Sequence, residues 1–241
     1  LDDDMVTKYH TQTSYLLPIA FDLISDSQKQ KAVQHLIDRI KAMDNHLSTG
    51  FIGLSFLMPV LTEYGHTDLA YELLLNETFP SWGYSIKNGA TTIWERWDGW
   101  TEKNGFQTPG MNSFNHYSLG AVGSWLMGSV AGIETLGHGY RKIQIKPHPG
   151  GGLTWAKASY DSINGPINSR WTHKNGRFQL SVTIPANTSA VVYVPTNHVT
   201  AEDALNFTPD HKNTELIKVE NNYAVFKVNS GTYKFKSELE I

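Results

Sequence analysis

Residues 11–43, TQTSYLLPIAFDLISDSQKQKAVQHLIDRIKAM, decide the fold because two helical patterns of different character follow one another there. Residues 11–24 are apolar nearly all round, whereas residues 27–43 carry apolar side chains on one face only. The same succession returns in residues 51–64, which are apolar, and in residues 67–76, which are amphipathic. A helix buried on all sides next to a helix wetted on one side is typical of two concentric helical layers. The first half of the chain is therefore predicted to form an α/α toroid.

An internal echo supports the two layers. The segment YLLPI at residues 15–19 recurs as FLMPV at residues 56–60, a spacing suited to one helical hairpin. A proline inside a helix costs about 3 kcal/mol. Two prolines at one register therefore favour inner helices that bend at matching points. Two helices that simply begin late would explain the prolines equally well.

Beyond Gly139 the apolar period changes to two residues, which is typical of strands. Asn175-Gly176 between two such runs predicts a tight hairpin. Closely spaced strands with no helices between them favour an antiparallel β-sandwich of about 100 residues. We therefore expect part of a helical barrel over residues 1–135 and a sandwich over residues 136–241. The predicted strands are 142–146, 179–184, 190–194 and 223–228.

The composition excludes several classes of function. The 241 residues carry a formal charge of -3 and no cysteine. A basic field for nucleic acid is therefore absent, and disulfides, thiolate metal sites and cysteine nucleophiles are excluded. The longest apolar run, Leu119–Ile133, is broken by glycines and shorter than the roughly 20 residues of a membrane helix, so it is predicted to be one packed helix without membrane insertion. The opening LDDD shows no signal-peptide pattern, which favours a piece of a longer polypeptide and leaves its compartment open.

The segment TTIWERWDGW at residues 91–100 holds three tryptophans, two carboxylates and an arginine. Tryptophan faces stack on sugar rings while carboxylates and arginine bind hydroxyl groups, so the mixture favours a carbohydrate pocket. The alternative is a core tryptophan cluster with Glu95 and Arg96 as a surface pair. A long polar loop, Thr101–Met111, is expected to follow.

The segment SFNHY at residues 113–117 follows this loop. Ser113 is predicted to cap the next helix, and His116 to project from the N-terminal end of an inner helix. Gly120, Ser124, Gly128 and Gly132 fall at steps of four from His116, a stripe that would let a neighbouring helix approach closely. A lone histidine is more often a hydrogen-bonded structural residue than a catalytic one.

These two segments resemble the glycoside hydrolase family 78 α-L-rhamnosidases, on TTIWERW at residues 91–97 and SFNHYSLGAVG at residues 113–123. The segments TQTSY (11–15), TGF (49–51) and AGI (131–133) fit as well. The resemblance covers residues 9–148 strongly and the remainder in type only. It implies a multidomain α then β chain, with part of an (α/α)6 helical barrel followed by an antiparallel β-sandwich.

The resemblance also implies inverting hydrolysis that releases terminal α-L-rhamnose from rhamnose-containing glycosides or polysaccharides. Glu95 matches the general base and His116 a histidine that contacts the sugar. Trp94, Arg96, Trp97 and Asn115 are expected to bind substrate beside them, and no cofactor or metal is expected. Inversion needs two carboxyl groups about 6.5–9.5 Å apart with a water between.

Residues 1–90 contain no match to the acidic segment that holds the family's general acid, and the run Asp2–Asp4 is interpreted as solvated. Roughly six helices are visible where the full barrel has twelve. The chain is therefore expected to carry the general-base half of the site and to need the rest of the barrel, from missing upstream sequence, for activity. Two alternatives stay open. One is a non-catalytic carbohydrate-binding fragment that uses Trp155 or Trp171. The other is a different (α/α)6 glycosidase, such as a trehalase-like enzyme, which would lack the TTIWE segment.

Overall fold

The computed structural model describes residues 4–197 and 214–240. Two compact units, Leu1–Ser124 and Trp125–Ile241, follow one another along the chain. The first unit consists mainly of helices and loops and the second mainly of strands, which is the order that the sequence predicts. Asp2 and Asp3 of the acidic run lie outside the described residues.

The helices of the first unit alternate between helices buried on most sides and helices with one face exposed to solvent. α1 packs against both α2 and α3, and α3 also packs against α4. In α2 the buried side chains lie at helical spacing on one face, whereas α3 buries side chains around most of its circumference. This contrast agrees with the predicted inner and outer layers. The helices are α1 (Gln12–Ala20), α2 (Asp26–Lys41), α3 (Phe51–Glu63), α4 (Thr67–Leu75) and α5 (Trp82–Lys87).

Both prolines of the internal echo lie inside helices. Pro18 falls in the second half of α1 and Pro59 in the second half of α3. Two positions before each proline, Leu16 and Leu57 are both 0% exposed, so the echo has the same register in the two helices. The interpretation that these helices begin late is therefore wrong.

The apolar run at residues 119–133 is not the single α-helix predicted for it. A 3-10 helix (Ser118–Ala121) leads into the short helix α6 (Val122–Trp125) and then into a π-helical turn (Leu126–Val130). Ile133 already belongs to a strand, and Gly132 turns the chain at a φ of 85°, a value that glycine adopts without strain. The glycines of the expected stripe therefore do not face one neighbouring helix. No helix within the described ranges is long and apolar enough to cross a membrane.

The second unit is one continuous seven-stranded sheet folded into two layers. The order β3-β4-β7-β6-β5 is extended by β9, which pairs with β7 and with β8. The rings of Phe226 and Phe235 lie 5.2 Å apart although both belong to β9. Nine residues of straight strand would separate them by about 30 Å, so the strand must fold over. The strands are β3 (Ile133–Thr135), β4 (Lys142–Ile145), β5 (Trp155–Ser162), β6 (Gly165–Lys174), β7 (Arg177–Pro195), β8 (Thr214–Glu220) and β9 (Tyr223–Glu238).

A bulge lets β7 cross between the layers. Its pairing with β9 shifts register between Ile184 and Ser189, so the runs predicted separately at 179–184 and 190–194 are the two halves of one strand. Asn175 and Gly176 have φ values of 51° and 70°, as a type I′ hairpin turn requires, which confirms that prediction. The sheet is not wholly antiparallel as expected, since β4 runs parallel to β7 after a long connection.

The residues just before β3 are hydrogen-bonded to the sheet. The indole N–H of Trp171 donates to the carbonyl of Val130 at 2.7 Å, and the Ser169 hydroxyl donates to the carbonyl of Ala131 at 2.6 Å. Both side chains are buried. Buried polar groups need partners, so these hydrogen bonds tie residues 130–131 to the sheet.

Candidate functional site

The two segments singled out in the sequence lie side by side in the helical unit. The Glu95 amide donates to the carbonyl of Ser113, and the His116 amide donates to the carbonyl of Ile93, each at 2.8 Å. The Thr92 hydroxyl also donates to the Phe114 carbonyl. This antiparallel pairing brings Glu95 and His116 into one region, as the sequence predicts for a shared site.

The Glu95 carboxylate is held by the backbone that faces it. Its Oε2 accepts a hydrogen bond from the Ser113 amide at 2.7 Å, and the side chain is half-buried. An N–H directed at one carboxylate oxygen fixes the orientation of the group and leaves the second oxygen for another partner. Glu95 therefore presents an oriented carboxylate.

Glu95 lies in the wall of a cavity of about 500 Å³. That volume suits a small ligand such as a sugar. The cavity combines the loop before α3, the start of α3 and the segment after Glu95. Its lining includes Thr49, Gly50, Phe51, Phe79, Glu95, Arg96, Trp97, Asp98 and Leu119.

Arg96 and Asp98 form a paired fork at this cavity. The Arg96 Nε donates to Asp98 Oδ1 and its Nη2 to Oδ2, both at 2.9 Å. The hydrogen bonds from Arg96 to Asp98 raise the pKa of the guanidinium above its usual value. Arg96 can still meet a ligand with its remaining donors, because guanidinium carries five N–H groups. The carboxylate of Asp98 has both oxygens occupied.

Trp94 and Trp97, two of the three tryptophans in the segment, have different surroundings. Trp97 lines the cavity of Glu95, donates its indole N–H to the Thr49 carbonyl at 2.9 Å, and packs edge-on against Trp82. Trp94 is 8% exposed, packs edge-on against Phe114, and lines a second cavity of about 260 Å³, which Trp97 also lines. Trp97 thus lines the cavity of Glu95, whereas Trp94 is buried against Phe114 and does not line that cavity.

His116 is the middle ring of an aromatic stack. Its ring lies 4.8 Å from Phe51 and 5.3 Å from Tyr117, with interplanar angles of 11° and 9°. Its Nδ1 accepts a hydrogen bond from the Ser118 amide at 3.3 Å, so a neutral ring carries its proton on Nε2. Through Phe51 the stack adjoins the cavity of Glu95. Asn115 is exposed beside it.

Ser113 does not cap a helix as predicted. The 3-10 helix begins at Ser118, and its N-cap is Tyr117. The Ser113 hydroxyl instead accepts from the Asn115 amide at 3.1 Å, which closes a local turn. The expected loop at residues 101–111 likewise contains a small hairpin, in which β1 (Trp100–Thr101) pairs with β2 (Gly105–Phe106).

Reasoning from the sequence missed the part of the wall that comes from distant residues. Thr49 and Phe51 line the same cavity as Glu95, and α3, which begins at Phe51, packs against the 3-10 helix at Ser118–Ala121. The signal was present in the TGF segment, which contributes to the resemblance but received no role. Among the described residues no cluster of three or more histidine or acidic side chains could hold a metal ion.

The wall of the cavity combines a carboxylate with aromatic rings. An oriented carboxylate can accept a proton from water, and aromatic rings can stack on a sugar. Of the two carboxylates that line the cavity, Asp98 has both oxygens hydrogen-bonded to Arg96, whereas the hydrogen bond from Ser113 reaches only one oxygen of Glu95.

Comparison with known families gives matches along most of the chain. Residues 1–130 match the model of the bacterial alpha-L-rhamnosidase 6 hairpin glycosidase domain. Residues 132–204 match the bacterial alpha-L-rhamnosidase C-terminal domain. These matches confirm the predicted fold class of a six-hairpin barrel followed by a domain of strands.

Individual relatives agree with the family models. An alpha-L-rhamnosidase of Streptomyces avermitilis is 45% identical over 235 residues, which are 96% of this chain and 22% of that protein. One from Formosa agariphila is 45% identical over 233 residues, covering 96% of this chain and 25% of that protein.

Solved structures agree as well. The crystal structure of the Streptomyces avermitilis alpha-L-rhamnosidase complexed with L-rhamnose is similar with a TM-score of 0.89 at 44% identity, over 95% of this chain and 22% of that one. The native enzyme from Aspergillus terreus gives 0.83 at 32% identity, over 98% and 25%. The chain thus spans about a quarter of the length of the relatives it matches.

Proposed function

The chain belongs to the bacterial α-L-rhamnosidase six-hairpin glycosidase family, and we propose that it supplies the general-base wall of an inverting α-L-rhamnosidase active site. Membership in this family removes the alternative of a different (α/α)6 glycosidase. We further propose that residues 1–135 contribute the closing helices of the barrel and residues 136–241 the sandwich after it. The substrates would be rhamnose-containing glycosides or polysaccharides.

The observation that carries this proposal is the Glu95 carboxylate, oriented by the Ser113 amide in the wall of a cavity of sugar size. In an inverting reaction the base takes a proton from water while that water attacks the anomeric carbon. The oxygen of Glu95 that Ser113 does not hold is the atom proposed to accept that proton. A fixed carboxylate orients the water without further cost in entropy.

The aromatic stack and the fork beside Glu95 are proposed to bind the sugar. Trp97 and Phe51 offer apolar faces in the cavity wall. His116 can donate from Nε2 to a hydroxyl, since its Nδ1 already accepts from Ser118. Arg96 offers free donors, and Asn115 an exposed amide. Trp94 is proposed to act through packing against Phe114.

The leaving oxygen needs a protonated acid, which we propose lies in the part of the barrel outside this chain. Asp98 is a poor candidate because both of its oxygens accept from Arg96. An ion-paired carboxylate in this geometry holds no proton to give. The chain by itself should therefore show no turnover of an aryl α-L-rhamnoside. Turnover by the chain alone would place the acid within it.

The test of the base is Glu95→Gln in the complete enzyme. The amide oxygen of glutamine can still accept from the Ser113 amide, so the loop should keep its shape while the basic oxygen is lost. We expect turnover to fall about 10²–10⁴-fold with little change in rhamnose affinity. Glu102→Gln, at an exposed position of the β1–β2 hairpin, is the matched control and should leave turnover unchanged. Near wild-type turnover by Glu95→Gln would remove Glu95 from the mechanism.

The stereochemistry is tested separately. Water that attacks opposite the leaving group gives β-L-rhamnose as the first product. The anomeric proton, followed by NMR before mutarotation, distinguishes the two anomers. An initial α product would indicate a covalent intermediate and withdraw the assignment of Glu95 as a base that acts through water.

A further inference from the structure

The outer face of β5, β6 and β7 in the unit of strands carries an unusual set of side chains. Strand register places them opposite one another, because side chains of paired positions point to the same side of a sheet. Their neighbours along β6 and β7, such as Trp171 and Leu180, point to the core and are 0% exposed. We call this surface the cationic face. It comprises Trp155, Lys157, Arg170, Thr172, Lys174, Arg177 and Gln179.

The cationic face contains two like-charge pairs across strands. Lys157 lies directly opposite Arg170, and Lys174 lies directly opposite Arg177. Like charges at directly opposed positions destabilise a sheet. Among the described residues, Lys157, Arg170 and Lys174 form no ion pair. An anion bound between two such cations would relieve their repulsion and so stabilise the sheet.

An exposed tryptophan lies between the two cationic pairs. Trp155 is 62% exposed, and it pairs in register with Thr172, which in turn pairs with Gln179. Lys157 and Arg170 lie two residues from this row in one direction along the strands. Lys174 lies two residues from it in the other direction. A shallow groove of about 780 Å³ runs over these residues.

We propose that the cationic face binds an anionic polysaccharide. Trp155 would stack on a sugar ring, Thr172 and Gln179 would bind hydroxyl groups, and the two flanking cationic pairs would bind carboxylate or sulfate groups on neighbouring sugars. Stacking and charge pairing in adjacent rows fit a chain of sugars that carries separated charges. The formal charge of -3 on the whole chain opposes a nucleic acid, whose charge density is higher. This binding does not depend on Glu95 or on catalysis.

The test measures binding of the full chain to soluble polysaccharides by calorimetry at low and at physiological salt. Polygalacturonate supplies carboxylates and dextran sulfate supplies sulfates, while neutral galactan and dextran are their uncharged counterparts. We expect any anionic polymer that binds to have an affinity at least about tenfold higher than its neutral counterpart. That affinity should fall as the salt concentration rises. The tighter of the two identifies the anionic group.

Two variants connect the binding to this face. Trp155→Ala and the double variant Lys157→Gln/Arg170→Gln should each weaken binding about tenfold or more. Phe106→Ala and Lys103→Gln remove an exposed aromatic ring and an exposed cation from the helical unit, and should change nothing. All five positions are exposed, so the melting temperature should stay the same.

Three outcomes would overturn the proposal. The first is binding of neither anionic polymer, or equal binding of charged and neutral ones. The second is binding that survives both variants of the cationic face. The third is tighter binding of single-stranded DNA than of either polysaccharide, which would assign the face to nucleic acid.

Discussion

The strand unit and the helical unit bury their apolar surface in different ways. In β7, alternation sends Phe178, Leu180 and Val182 inward, and the fold of β9 lays one layer over the other, so the unit closes its own core. In the helical unit, α1 and α3 are apolar nearly all round. Apolar side chains near their ends remain exposed, such as Leu23 after α1 and Ile52 at the start of α3.

The difference shows where stability and chemistry lie in this chain. A folded-over sheet meets the packing needs of each strand from its own neighbours, whereas a ring of helices needs all of its members. The candidate active site belongs to the helical unit and lies on loops that backbone hydrogen bonds hold together. We therefore expect changes in the sheet core to reduce stability, and changes in the site loops to reduce activity with little loss of stability.

The largest expected loss of stability comes from Trp171→Ala in the sheet core. The change removes a fully buried ring and leaves the Val130 carbonyl without its donor. The free energy of unfolding of the strand unit should fall by about 3–5 kcal/mol. Chemical denaturation, followed by hydrogen exchange of strand amides, measures it. Trp155→Ala, at an exposed position one strand away, should cost less than about 0.5 kcal/mol. Equal losses would show that the sheet core is not closed.

The second effect is a pH dependence confined to the strand unit. Burial, with a smaller contribution from the Lys146 charge, lowers the pKa of His148 to about 4. Between an unfolded value of about 6.5 and this value, the unfolded chain binds a proton that the folded chain does not. The free energy of unfolding should therefore fall by up to about 3 kcal/mol as the pH falls through this window.

His148→Gln should remove this pH dependence of unfolding, at some cost in stability at pH 7. His138→Gln, at an exposed position of the same unit, should preserve it. The same slope between pH 6.5 and 4 in His148→Gln and in the unchanged chain would assign the effect to other groups.

A smaller effect is expected from His116→Ala, and it should separate activity from stability. The variant loses the imidazole ring whose Nε2 is proposed to donate to the sugar. In the complete enzyme kcat/KM should fall by the equivalent of about 1–3 kcal/mol, while the melting temperature stays close to that of the parent. An unchanged affinity for rhamnose, measured by calorimetry, would contradict the proposed sugar contact.

The smallest effect tests the close packing of α1 on α3. A Cβ at Gly53 would collide with the Thr13 hydroxyl and approach the Thr49 methyl to 3.1 Å. Gly53→Ala should cost about 1 kcal/mol, since strain outweighs the gain in helix propensity. Gly123→Ala, in α6 with open space around it, should instead stabilise by up to about 1 kcal/mol. A stabilising Gly53→Ala would show that the inner layer is loosely packed.

Most of the fold could be predicted because its signals are local. Apolar periodicity identified the long helices α1 to α4, and the Asn175-Gly176 turn identified its hairpin. The short helix α5 and the strands β3, β5 and β8 were not predicted. The run from Leu119 misled because its composition suits a helix, whereas the tertiary position of Gly132 against the Pro147 backbone requires a turn.

Only those features of the site that a single sequence segment contains could be predicted. The resemblance identified the Glu95 and His116 segments, which the structure pairs through backbone hydrogen bonds. It could not separate Trp94 from Trp97. Both line the cavity of about 260 Å³, and Trp97 alone of the two also lines the cavity of Glu95, a difference that depends on the orientation of the segment in the fold. The pairing of Arg96 with Asp98 was also unforeseen, although the two residues are only two positions apart, since a sugar contact and an ion pair use the same guanidinium.

The place of β9 in the sheet also has consequences during vectorial synthesis. β9 pairs with β7 on both sides of the bulge, so both layers depend on Tyr223–Glu238. The ribosome makes these residues after all the other strands, and until they emerge the nascent chain exposes one whole edge of β7. A message truncated before Tyr223 would therefore release a polypeptide with an open, 19-residue strand edge. Such a product would be a substrate for chaperones and proteases.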